Sequence, residues 1–260
     1  MSAVHVTGDV HGHVERLCEL LCRAGLIDPE ANWIGGDSRL WFVGDLVNHG
    51  PDGVGAIELA MKLQTQADAA GGMVETLLGN HDVVLLAAVR MGEQEAPGSG
   101  KTFRNIWEES GGAPADLEQF TADHGAWLAS RPMMAREADH LLIHADALFY
   151  KDHGGSIAET NDAVTALLSG DDPARWAHLL EAFGEHGAFV ASVGGTSAAD
   201  AFLRRFGGEQ IVHGHTPISK MTGQPAETVT APLLYAEDRC LDVDAGIYLG
   251  GPGFVYRLPG

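Results

Sequence analysis

The sequence predicts an α/β protein, on three observations. Short apolar runs alternate with helix-periodic segments through the first third of the chain, the order that builds a mostly parallel sheet flanked by helices. Its 260 residues can bury one sizeable core, without internal repeats or long low-complexity runs, so one domain is expected over 1–260. Polar residues beside glycine follow the apolar runs, where strand ends of an α/β sheet gather functional groups.

In order, residues 4–7 read as a strand and 14–24 as a helix, 40–43 as a strand and 54–66 as a helix, 73–78 as a strand and 83–91 as a helix. The stretch GEQEAPGSG (92–100) reads as a polar loop, and 102–130 as short helical pieces. Residues 141–143 are a strand; 157–169 and 172–183 are helices, the second with Asp172 as cap and Pro173 at its first position. The glycine-rich segment 184–197 is expected to be mobile. Residues 211–212, 233–235, 240–243 and 254–258 then read as strands, an antiparallel continuation of the sheet system.

Composition narrows the function. Sixteen basic against 36 acidic residues leave a net charge of −20, which disfavours a nucleic-acid surface and docking on anionic lipid. An anionic substrate then needs local positive charge, which bound metal supplies. No apolar run approaches the ~20 residues of a membrane span, and no signal peptide is visible. Cys18, Cys22 and Cys240 form no disulfide framework; Cys18 and Cys22 are expected as buried thiols on one helix face, and a cytoplasmic location follows.

Five strand ends carry chemistry: Asp9 and His11 in GDVHG; Asp45, Asn48 and His49 in GDLVNHGPDG; Asn80, His81 and Asp82 in GNHD; His144 and Asp146 in HAD; His213 and His215 in HGHTP. Any one of them reads equally as a turn or a helix cap, but together they converge as a site. Aspartate and imidazole without thiolate suit manganese, iron or zinc.

These motifs resemble the calcineurin-like metallophosphoesterases, in their phosphoprotein phosphatase branch. Four of the five match almost letter for letter, and NIWEESGGA (105–113) is similar to the branch's Trp-x-x-Asn-Gly-Gly segment with Ser110 for asparagine. LLIHADALFY and IVHGHTPISK are similar to lambda-phage-type phosphatases, and DSRLWFVGDLVNHGPD to symmetrical diadenosine tetraphosphate hydrolases. The resemblance implies a four-layer α/β/β/α sandwich with mixed sheets. It implies two divalent metal ions, Mn2+ first with Fe or Zn as substitutes, bridged by Asp45 and set ~3.5–4 Å apart. Asp9 and His11 would complete the first metal site; Asn80, His144 and His215 the second. His81 would protonate the leaving oxygen, oriented by Asn48, while a water between the metals attacks phosphorus directly. His49, Asn80 and His81 would touch the phosphate. His213 is expected to pack or to support a ligand, Asp82 to cap its helix.

Two departures bear on substrate. Where the branch has arginine to fork a phosphate, this chain has His49, whose charge varies with pH. A second clamping arginine expected upstream of His215 is missing from 189–195, leaving Arg104, Arg131, Arg175, Arg204 and Arg205 as substitutes. Asn48 replaces an orienting aspartate and is expected to accept a hydrogen bond from His81. The leading expectation is hydrolysis of a phosphomonoester, on a phosphoprotein or a small molecule. The alternatives are a dinucleoside polyphosphate hydrolase and a catalytically weak, metal-binding regulatory protein. A nuclease is disfavoured by the acidic charge and by Pro217 after GHT.

Overall fold

The computed structural model describes residues 2–259. Three strand–helix units open the chain: β1 (Val4–Thr7) with α1 (Val14–Arg23), β2 (Arg39–Phe42) with α2 (Gly53–Ala69), and β3 (Met73–Thr76) with α3 (Asn80–Met91). The three strands pair in parallel in that order, as the alternating pattern predicts. α3 starts at Asn80 instead of 83 because Asp82 caps it from within the first turn, accepting the Gly79 N–H at 2.9 Å. Cys18 and Cys22 on α1 are free and half-buried, less enclosed than expected.

The 92–100 loop proves to hold a hairpin strand: β4 (Glu95–Ala96) pairs with β5 (Lys101–Thr102). The short helices α4 (Phe103–Glu109), α5 (Pro114–Gln119) and α6 (Ala122–Ala129) follow. Thr102 and Thr121 cap α4 and α6, each accepting a backbone N–H three residues on.

A second sheet begins with β6 (Met134–Glu137) and β7 (His140–Ile143). The chain then runs through α7 (Tyr150–His153), α8 (Ile157–Ser169), α9 (Pro173–Phe183) and α10 (Gly195–Phe206) before returning as β8 (Gln210–His213). α11 (Ile218–Thr222), β9 (Leu233–Tyr235), β10 (Cys240–Asp242) and β11 (Val255–Arg257) complete it. The sheet order is β6-β7-β8-β10-β9. Its centre is parallel, β7 with β8 and β8 with β10, which corrects the antiparallel expectation. Only its edges, β6 and β9, run antiparallel. β11 crosses to the first sheet and pairs antiparallel with β1. α10 likewise corrects the mobile segment, whose last residues, 195–197, are its first turn; Ala199, Phe202, Leu203 and Phe206 form its buried stripe.

Side-chain alternation stacks the layers. Trp41 and Val43 around β2 and Leu142 in β7 meet Val6, Val212 and Leu241 in an apolar layer between the sheets. Leu40, Phe42, Leu141, Ile143 and Ile211, one residue out of phase, face the helices in the larger core. The result is the helix–sheet–sheet–helix sandwich with mixed sheets. Among the described residues no helix is long and apolar enough to cross a membrane.

Candidate dinuclear metal centre

The strand ends of both sheets converge on one site, and the backbone bends sharply to reach it. His11, Asp45, Asn48, His49 and His215 all adopt positive φ, between 47° and 69°. Each such non-glycine residue costs roughly 1–2 kcal/mol, so the surroundings must hold it. They do: the N–H groups of Val10 and His11 both donate to the Asp45 carbonyl, at 3.1 and 2.9 Å. The Asp82 carboxylate, besides capping α3, accepts the N–H groups of Asp45 and Leu46 at 3.0 Å each. Asp82 thus ties the loop after β2 to the loop after β3. Gly79 is required between them, because a Cβ there would strike the Asp45 carboxylate and backbone.

The six expected ligands come together. Asp9, His11 and Asp45 are 2% exposed or less and bring ligand atoms within 4.8 Å of one another; Asp45, His144 and His215 do the same. Asp45 belongs to both groups. His11 Nδ1–H donates to the Val47 carbonyl at 2.9 Å, leaving Nε2 at 3.9 Å from Asp9 and 3.7 Å from Asp45. His144 Nδ1–H donates to the Val43 carbonyl at 2.8 Å, leaving Nε2 at 3.4 Å from Asp45. Asn80 Oδ1 lies 2.9 Å from both His144 Nε2 and His215 Nδ1. A second nitrogen fixed on a backbone carbonyl is how a metal-binding imidazole is oriented.

Electrostatics fit cations as well. Burial, then the charges of Asp244 and Asp45, push the Asp9 carboxyl well above its ordinary range. Burial also acts to raise Asp45, but His144, His81 and His11 outweigh it and hold the carboxylate low. Burial brings His11 and His215 down to about 3, so both imidazoles are neutral with a lone pair to give. Asp244, just past the end of β10, is pushed up to about 7 by burial, and its Oδ2 is buried without a partner. An orphaned carboxylate oxygen beside Asp9 suits a place where positive charge binds. The strand-end rule that singles out the six expected residues also covers Asp244, which follows β10.

His81 stands over Asp45, its N–H donating to Oδ1 at 2.9 Å and its Nε2 4.0 Å from Oδ2. Asn48 does meet His81, at 3.0 Å, but it donates from Nδ2 to Nδ1 instead of accepting. Its Oδ1 is taken by the Trp107 indole N–H at 3.0 Å, and an indole can only donate. His81 therefore carries its proton on Nε2, on the side facing the carboxylate. His49 packs beside this group, its ring 4.9 Å from His81 and 5.0 Å from His11. His213 is buried away from the ring, its Nδ1 bonded to the Gly214 carbonyl and its Nε2 2.7 Å from the Tyr235 hydroxyl. His186, which no motif marks, lies with its ring 6.2 Å from that of His215.

Three of the substitute arginines are engaged elsewhere. Arg104 pairs with Glu108, Arg131 with Glu75, and Arg205 caps carbonyls of Lys151 and Gly154. Arg204 lines a surface cavity with Asp200 and Arg239, and Arg175 lies near His153.

Two carboxylate–imidazole groups sharing one aspartate thus meet between the two sheets. The family model of calcineurin-like phosphoesterases matches residues 3–219, and the chain belongs to that family, whose members use a dinuclear divalent metal centre. It is similar to a symmetrical bis(5'-nucleosyl)-tetraphosphatase of Bordetella parapertussis, 32% identical over 67% of this chain and 58% of the relative. It is also similar to Shewanella-like protein phosphatase 2 of Arabidopsis thaliana, 36% identical over 30% of this chain and 20% of the relative. The chain spans little more than half the length of the tetraphosphatase. Among solved structures, a cold-active protein-tyrosine phosphatase of a psychrophilic Shewanella species superposes with a TM-score of 0.75 at 25% identity, covering 100% of this chain and 76% of the other.

Proposed function

We propose that this hydrolase acts on phosphomonoesters, of phosphoproteins or small molecules, with two divalent ions, manganese first. Asp9, His11 and Asp45 would hold one ion; Asp45, Asn80, His144 and His215 the other. When bound, the ions would neutralise charge on the phosphoryl oxygens and acidify an attacking water. The observation that carries the reading is the His81 arrangement: Asn48, fixed by Trp107, keeps Nε2–H turned toward the site as a hydrogen-bond donor to a leaving oxygen, while full proton transfer would come from the imidazolium and return the ring to neutral. Cysteine chemistry is not needed: Cys18 and Cys22 lie on α1, and burial pushes the Cys240 thiol up to about 12.

Charge favours a monoester. With Arg104, Arg131 and Arg205 engaged elsewhere, little positive charge is left for a chain of four phosphates. The second reading, a symmetrical dinucleoside tetraphosphatase, is favoured by the 32% identity to the Bordetella protein. Turnover of p-nitrophenyl phosphate and a phosphopeptide against diadenosine tetraphosphate, each with added Mn2+, tests the choice. Faster cleavage of the dinucleotide would overturn the leading reading, and metal-independent turnover would overturn both.

A further inference from the structure

One cation stands at the mouth of the site. Lys220 lies on α11, the short helix that begins three residues after His215. Its Nζ is 3.3 Å from the Tyr248 hydroxyl and 6.0 Å from the centre of that ring. The Tyr248 ring in turn stacks on His49, with centroids 4.7 Å apart and planes 15° from parallel. Its edge contact to His11 is also 4.7 Å. Lys220 is exposed, and among the described residues no carboxylate lies within salt-bridge distance of its Nζ. Through the Tyr248 ring, which touches both His49 and His11, it stands at the rim of the same site.

A free ammonium in a chain of charge −20, beside buried carboxylates and without one of its own, is an unusual placement. Coulomb attraction would draw so exposed a lysine to any acidic side chain within reach. Tyr248 instead offers it a hydroxyl and a ring face, both neutral. The stack leaves the ammonium's remaining donors free. His49 cannot do the same work: an imidazole edge is a single-point donor, and its face is covered by the Tyr248 ring.

We infer that Lys220, steered by Tyr248 stacked on His49, is the oxyanion-binding residue of this site and holds the substrate's phosphoryl group where the family's arginines are absent. This inference rests on the phosphoesterase reading and adds a residue to it. Lysine binds phosphate as a point charge with rotating donors, so it suits a terminal phosphoryl group approached from one side. The aromatic stack limits where the flexible stem can go, so the ammonium is partly positioned before substrate arrives.

The test is calorimetric titration of inorganic phosphate into the Mn2+-loaded wild-type, K220M, K220R and Y248F proteins, with metal content measured for each. Loss of a charge-assisted contact predicts about a tenfold weaker phosphate Kd for K220M, with two metals retained. K220R should recover most of the affinity, and Y248F should lose about threefold by freeing the lysine. Steady-state kinetics with p-nitrophenyl phosphate should show K220M raising KM more than it lowers kcat. If metal-loaded wild-type protein binds no phosphate, the phosphoesterase reading falls and the clamp with it. If it binds phosphate and K220M binds equally well, the clamp alone is overturned.

Discussion

The Trp107 indole donates to Asn48 Oδ1 at 3.0 Å, and this bond decides which end of the amide faces His81. Asn48→Asp should reverse the logic. A carboxylate there accepts from both Trp107 and His81, favours the imidazolium, and raises the His81 pKa that burial now lowers. The alkaline limb of the kcat profile should then move up by about one pH unit. An unmoved limb would show that His81 is not the proton donor. Trp107→Phe should cost about 1–3 kcal/mol of stability by stranding a buried acceptor, read from urea midpoints.

His49 sits where a relative would place arginine, and its lowered pKa leaves it neutral at pH 7. A neutral ring becomes a second cation only on acidification. With metal kept saturating, KM for an aryl phosphate should fall as the pH drops below about 6.5. His49→Arg should lower KM at neutral pH and flatten this dependence; an unchanged or higher KM in the variant would count against His49 touching phosphate.

Asp45 is shared by both carboxylate–imidazole groups. Asp45→Asn should abolish binding of both ions and hydrolysis together. Metal at about 100 times its Kd should stabilise the wild-type protein by about 2.7 kcal/mol, visible as a higher Tm, and leave the variant unchanged. Retained two-metal binding by the variant would refute the shared role.

Without metal, the site should make the protein less stable as pH rises. Asp82 and Asp244 are raised to about 7, and Asp9 and Asp242 are also raised, all chiefly by burial. Carboxyls with raised folded pKa hold protons the unfolded chain has released, so their stabilising effect is lost between about pH 4 and 7. His144, with a raised pKa, works in the same direction above 6.5. His11 and His215, depressed to about 3, oppose it as pH rises toward 6.5, and so do His5, His13, His49, His81, His153 and His213, whose pKa values burial also lowers; above that pH the histidines add little more and the carboxyls decide. The urea midpoint of metal-free protein should therefore fall from about pH 7 to about pH 8, and added Mn2+ should reverse the order. A flat profile would contradict the carboxyl shifts.

Gly79 has an ordinary backbone with φ of −96°, so alanine meets no conformational penalty there, only the Asp45 carboxylate and backbone. Gly79→Ala should cost about 1–3 kcal/mol and weaken metal binding. Wild-type metal affinity in this variant would show the Asp45 loop to be more yielding than its contacts suggest.

The six-residue group is legible because each member follows a short apolar run, all but His144 beside a glycine, a local pattern that survives without knowledge of the fold. Lys220 and Tyr248 carry no such mark: one is a lone lysine on a one-turn helix, the other a tyrosine on a 3-10 turn. Only tertiary packing brings them over His49. Trp107 was noticed as part of a motif, but its effect on Asn48 depends on a contact 59 residues apart. The stripe of α10 was present in the sequence, masked by the glycines before it. The parallel centre of the second sheet depends on the long helical crossover between β7 and β8, and three- and four-residue strands carry no sign of their direction.

Asp9, His11, Asp45 and Asn80 hang from the first sheet, whereas His144 and His215 hang from the second. A cation held by Asp45 and His144 would therefore be a rivet through the seam between them, joining segments 101 residues apart whose carbonyl contact, His144 to Val43, already crosses that seam. Stripping the ions should loosen that seam before it melts either sheet, so amide exchange in β2 and β7 should quicken together on chelation while the outer helices stay protected.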